Sequence, residues 1–327
     1  MRPAPIFAAL VVFVAAACVL GLLVGYADLG DGELRGKLLG LRAARVALAF
    51  LSGAALAVGG VFVQGLFRNP LASPSILGTT AGATLGGQIS LMLYKLVAAS
   101  SLAAYVVPEM FQALGCIAGA LLSLFFLLAI AGQRRDLIML LLTGFILSAL
   151  FLSMGSFVLA LSQDAWELGR AVVAFSLGGV GGRGVRHVAL AAPLIVIGIA
   201  AAWLWSGPLD LLLSGEKEAR SLGVDTVEVR RWAIVWTAIL TAGAVAVGAN
   251  VAFVGLVVPH AMRPLIGVEH RLLIPAAGLA GGGFLVVCDT ISRLPEREIP
   301  LGVITGLIGA PVFLFLLARA RSRGIYG

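Results

Sequence analysis

Charge is what this chain has least of. Asp, Glu, Lys and Arg make up 12% of its 327 residues, about half the share of an ordinary soluble domain, which excludes a water-soluble globule of this size. Long polar stretches are missing too; none exceeds about twenty residues, too few for a separate soluble domain. Cysteine is sparse: Cys18, Cys116 and Cys288 stand alone in or beside apolar runs, with no C-x-x-C, so they read as small packing residues rather than a disulfide or metal framework. His187, His260 and His270 are scattered and form no zinc motif. There is no G-x-x-x-x-G-K-[ST] loop, so ATP hydrolysis is not expected of this chain. Mid-span acids are scarce, which argues against a proton- or sodium-driven carrier working alone. No nucleophile and base stand at a catalytic spacing, which argues against a membrane enzyme.

What is abundant is apolar surface: 60% hydrophobic residues, a mean hydropathy of +1.06 and 42 glycines. Glycine in such numbers suits helices packed closely in lipid. A span takes about 20 apolar residues, and ten segments qualify: 5–26, 45–66, 77–95, 110–131, 137–161, 188–205, 231–249, 252–267, 272–290 and 301–319. The fold class is therefore all-α and polytopic, with residues 1–327 forming one transmembrane domain. The first segment has a longer apolar core than a signal peptide and reads as a retained span. An even number of spans puts both termini on one side. A slight majority of the 23 Lys and Arg residues falls in the cytoplasm if the termini do. The net charge of +7 comes from short basic clusters at span ends, where they face lipid headgroups, and does not indicate nucleic acid.

The stretch that organises the chain is Gln64–Gly78, QGLFRNPLASPSILG. Pro70 and Pro74 donate no backbone hydrogen bond and disfavour helix before them, so the second span ends here and the third begins. Residues 27–44 read as an outer loop, and Arg42 and Arg45, three apart, share a helical face at the mouth of the second span. Asp289 and Arg293, four apart, are placed to pair. Residues 162–187 are too polar and glycine-rich for a span and read as a short outer or re-entrant helix. Gly78–Gln88 holds small and hydroxyl residues that suit either a pathway lining or tight packing. The longest inner segment, 207–231, contains Ser214-Gly-Glu-Lys-Glu-Ala-Arg-Ser-Leu-Gly223. Ser214 is a candidate cap, Gly223 a terminator, and Ala219 and Leu222 give the short helix one apolar side, for the membrane surface or a partner. A likeness between GAALAVGGVFVQGL (53–66) and GAVAVGANVAFVGL (243–256) hints at an internal duplication, inverted because five crossings separate the copies.

Arg42-x-x-Arg45, FRNPLASP (67–74), GEKEARSLG (215–223), VGLVVPHAMR (254–263) and EIPLGVITGLIGAPVF (298–313) occur in one chain and in this order. In this the sequence resembles the FecCD-type permeases, membrane subunits of type II ABC importers for iron-siderophores, haem and cobalamin. The resemblance implies a ten-helix homodimer with two copies of a separate ATPase, which binds ATP and Mg, and a substrate-binding protein outside. It implies no cofactor in this chain. It implies ATPase coupling through Gly215, Glu216, Ala219, Arg220, Leu222 and Gly223. Arg42, Arg45 and Arg293 would meet acidic residues of the binding protein. Asn69 and Leu71 would form one cytoplasmic gate. Leu137 and Ile138 would form a second, where this chain, with Asp136-Leu137-Ile138, lacks the small hydroxyl residues of the cobalamin member. The cargo ranks as iron-siderophore first, then haem and cobalamin.

Overall fold

The computed structural model describes residues 3–25, 32–98, 107–131, 137–247, 250–295 and 297–322. Among these it is helical, with no strand: α1 Pro3–Leu23, α2 Gly32–Leu66, α3 Thr79–Ala98, α4 Pro108–Ala131, α5 Leu137–Ser162, α6 Trp166–Leu177, α7 Val185–Leu204, α8 Ser206–Leu213, α9 Glu216–Ser221, α10 Thr226–Ala246, α11 Val254–Ile266, α12 His270–Ser292 and α13 Leu301–Ser322. Every predicted span coincides with one of these. Seven helices are long and apolar enough to cross a membrane; α3, α11 and α13 complete the ten. The 13 residues of α11 reach only about 20 Å, and Pro259 and Pro264 lie within it.

The centre of the bundle is α2, packed against α12, α10, α7 and α11. Small residues allow this. Gly53 meets the backbone of Gly281 on α12, and Gly60 meets that of Gly255 on α11. The same device joins α3 to α4, where Gly82 faces Gly119 and Gly86 faces Gly115. The small residues of α3 thus serve mainly helix packing, and Thr84 and Ser90 donate to their own helix at Thr80 O and Gly86 O, both at 2.9 Å. The periphery is greasy: Phe125, Phe145, Phe157 and Phe315 are exposed on α4, α5 and α13, as a hydrocarbon solvent permits.

Three expectations change. The outer loop at 27–44 is helix from Gly32 on, because its Leu, Arg, Lys and Ala residues extend α2 without a proline. Residues 26–31, including Asp28 and Asp31, lie outside the described residues. Ser214 does not cap α9; Gly215, at φ 126°, stands at that position and makes no side-chain cap. The likeness of 53–66 to 243–256 is not matched in the backbone. The first stretch is continuous helix, whereas the second runs off the end of α10 and into α11.

Candidate translocation pathway and coupling surface

The proline-broken patch closes α2 with Arg68 in the left-handed region, at φ 48°. Asn69 then organises the turn: its backbone N–H reaches Gln64 O at 3.1 Å, and its Oδ1 accepts from the Leu71 N–H at 2.9 Å. A single 3-10 turn at Pro74–Leu77 and Gly78 at φ 79° lead into α3. This turn seats on α5, where Ser148 Oγ donates to Ser75 O at 3.1 Å. Arg68 and Asn69 are exposed and Leu71 is half-buried. Leu137 opens α5, Ile138 points outward at 74% exposure, and the preceding residues 132–136, Asp136 among them, lie outside the described residues.

Ser73, Pro74 and Ser75 form one wall of a cavity of about 510 Å³. Facing them are Ser176 and Leu177 at the end of α6, and Asn250–Phe253 between α10 and α11. These elements are tied together. Asn250 Nδ2 donates to Ser176 O at 2.9 Å, and Leu301 N to Gly178 O at 2.9 Å. Phe253 holds φ 67°, an uncommon conformation for a bulky residue. Interrupted helices supply unpaired backbone groups, and within a membrane such groups are tolerated where they face protein or a water-filled cavity. The 162–187 segment is thus a short helix at a cavity, as its composition suggests. The break at 250–253 falls where the apolar segments 231–249 and 252–267 part; that it lines a cavity was not legible in the sequence.

The 207–231 segment folds as α8, α9 and the start of α10. Ala219 is fully buried while Leu222 is 64% exposed, so the two do not share one apolar side: Ala219 seats α9 on its own chain and Leu222 points away from it. Glu216 joins α9 to α10 through Arg220, Thr226 (3.3 Å) and Arg230 (3.6 Å). Gly223, at φ 82°, ends the segment with its N–H on Arg220 O at 3.0 Å. A small cleft between Leu66, Arg68, Leu212, Glu216 and Arg230 brings the end of α2 and the foot of α9 to one corner. At this end the Trp232 ring lies about 6 Å, centroid to centroid, from both Trp205 and Trp236, where aromatic rings favour the interface.

At the opposite end of α2 the three arginines of the docking reading are drawn inward. Arg42, 8% exposed, donates to Leu22 O and Leu23 O at 3.1 and 3.2 Å. Arg293, 6% exposed, donates to Gly21 O and Val24 O at 3.0 and 2.9 Å. Both satisfy the orphan carbonyls of α1 and complement its negative end. Arg45 grips Asp289 at 2.9 and 3.1 Å and Glu298 at 2.9 and 3.2 Å. Asp289 and Arg293 pair at 3.1 Å, as their spacing predicts. Arg42 and Arg293 are therefore internal clamps, not open charges; the physical reason is that α1 ends with free carbonyls beside them.

Comparison with known proteins agrees with this architecture. The model of the FecCD transport family matches residues 6–319. The Fe(3+) dicitrate permease FecD of Escherichia coli is 38% identical over 283 residues, 86% of this chain and 84% of that one. The cobalamin import permease BtuC of Halobacterium salinarum is 37% identical, covering 87% and 74%, and the hemin permease HmuU of Yersinia pestis is 37% identical, covering 87% and 84%. A solved structure of a metal-chelate type ABC transporter in an inward-facing conformation superposes with a TM-score of 0.87 at 29% identity, over 97% of this chain and all of the other. With interrupted helices around a central cavity and a short helix standing beside the turn that ends α2, this chain belongs to the FecCD transport family.

Proposed function

We propose that the chain is the membrane subunit of an importer for an iron(III)-siderophore or a similar metal chelate, working as a homodimer in the inner membrane with both termini cytoplasmic. Two copies of a separate ATPase subunit drive it, and a substrate-binding protein delivers the cargo from outside. The observation that carries this reading is the corner where α9 meets the end of α2. A helix too short to be stable alone, held by Glu216 and presenting Leu222, shares a small cleft with Arg68, at the start of the turn whose Ser73–Ser75 wall the cavity. A partner that moves α9 has a short mechanical path to Asn69 and Leu71. Leu137 and Ile138, at the start of the helix on which that turn rests, form the second gate. On the outer face the binding protein docks on the rim around Arg45 and the exposed Glu298, while Arg42 and Arg293 hold the end of α1 beneath it. Haem or cobalamin is the alternative cargo.

The test is reconstitution in liposomes with the ATPase and the binding protein. ATP-dependent uptake of the chelate is expected, and it should fail when Glu216 and Arg220 are both replaced by Ala. Uphill transport without any ATPase overturns the proposal.

A further inference from the structure

Beside the ion pairs at the outer rim stands Arg183, which has no carboxylate partner among the described residues. Arg45 meets Asp289 and Glu298, and Arg293 meets Asp289, so two guanidinium groups match two carboxylates. Beside them opens a cavity of about 390 Å³, lined by Arg45, Gln112, Arg183, Asp289, Glu298 and the backbone around Gly179. Arg183 brings a third positive charge, and among the described residues no carboxylate pairs with it. Its Nη1 donates to Ala246 O at 3.1 Å, in the last turn of α10. That bond has a structural purpose, since a cation suits the carbonyls at a helix end. It occupies one of the five guanidinium donors; none of the others is a buried orphan, and the residue lines the cavity. The side chain is half-buried, and its desolvation pushes its pKa down to about 10, which leaves it charged at neutral pH. Leu91, Ala171, Ala174 and Phe175 make the rest of the wall largely apolar. An unmatched cation in such a place is costly, and an entering anion removes the cost.

We propose that this cavity receives a carboxylate of the chelate itself, held by the fork of Arg183 with Gln112 beside it. This rests on the importer reading and narrows it: the cargo is a chelate with a free anionic group, and the outer cavity is a stop on its way to the cavity at Ser73–Ser75. The two cavities adjoin, since Leu177 and Gly302 line one while Gly178 and Leu301 line the other.

The experiment uses the full-length chain in lipid nanodiscs without binding protein, with citrate and ferric dicitrate as probes and thermal unfolding as the readout. In the wild type both probes should raise the unfolding midpoint, and added salt should reduce the effect. R183Q should bind about tenfold to a hundredfold more weakly, as expected for loss of a charged hydrogen bond. R183K, which keeps the charge but not the fork, should fall between. Should R183Q not fold, Ala174→Asp sets a carboxylate in the same wall and should give the same loss. Equal affinity in wild type and R183Q, or no response of the wild type to either probe, overturns the site. A parallel pull-down with the binding protein separates the two sources: if R183Q weakens that association and leaves both probe shifts unchanged, the anion belongs to that protein and the site is overturned. ATP-driven uptake that persists in any of these cases leaves the importer reading standing.

Discussion

Asp210 holds His270 twice: it accepts the backbone N–H at 2.8 Å and lies 2.6 Å from ring Nδ1. His270 is buried at the start of α12, and the far side of its ring rests against Gly65 of α2, where a Cβ would stand 2.5 Å from Nε2. Asp210 sits on α8, which leads directly into α9, and Gly65 lies two residues before Phe67, where the proline-broken turn starts. One side chain thus touches both the support of the proposed coupling helix and the helix that ends at the proposed gate. Asp210→Ala should lower stability by about 1–3 kcal/mol, because it strands buried donors; Asp210→Asn, which keeps an acceptor for the N–H, should cost less. Thermal unfolding in detergent measures this. Uptake per ATP hydrolysed should fall in Asp210→Ala even where the ATPase still binds.

The outer cluster makes a second prediction. Asp289 is 1% exposed and lies between Arg45 and Arg293. Asp289→Ala leaves two cations without their shared partner and should destabilise by about 3–5 kcal/mol. Glu298 also binds Arg45, but its side chain is 54% exposed, so Glu298→Ala should cost less than about 1 kcal/mol. Equal losses for the two in unfolding experiments would contradict this ranking.

Close helix contact makes a third. Gly60 lies against the backbone of Gly255, and a Cβ there has no room. Gly60→Ala should push α11 off α2 and cost about 1–3 kcal/mol or more, with lower yield of folded protein. Gly40→Ala, on the same helix with nothing within 4 Å, should be neutral or stabilising by up to about 1 kcal/mol through helix propensity. Size-exclusion profiles and unfolding midpoints compare the pair.

Leu222 gives the fourth. Because it is exposed, Leu222→Ala should leave the unfolding midpoint within about 0.5 kcal/mol of wild type. If it fills a hydrophobic pocket of the ATPase subunit, the same change should weaken that association about tenfold or more. A pull-down with the purified ATPase subunit reads the difference. Unchanged association would remove Leu222 from the coupling surface.

Much of this molecule is determined by local chemistry. The ten spans follow from apolar run length, because lipid obliges each backbone to satisfy itself within a helix. The turn at 67–78 follows from Pro70, Pro74 and the side-chain turn of Asn69, and the pairing of Asp289 with Arg293 follows from their spacing. Gly223 ends the short α9 segment as its type predicts. Tertiary structure decided what depends on residues far apart in the chain. Arg42 and Arg293 turn inward because α1 presents its carbonyls to them; no local pattern reports where another helix ends. Ala219 and Leu222 part company because the bundle covers one and not the other. Asp210 finds His270 across 60 residues, and Arg183 has no carboxylate partner among the described residues because packing put Arg45 and Arg293, rather than Arg183, beside the two acids. Sequence sets which groups each helix carries; only the packing of helices sets which groups are left facing a cavity with their charge unmet.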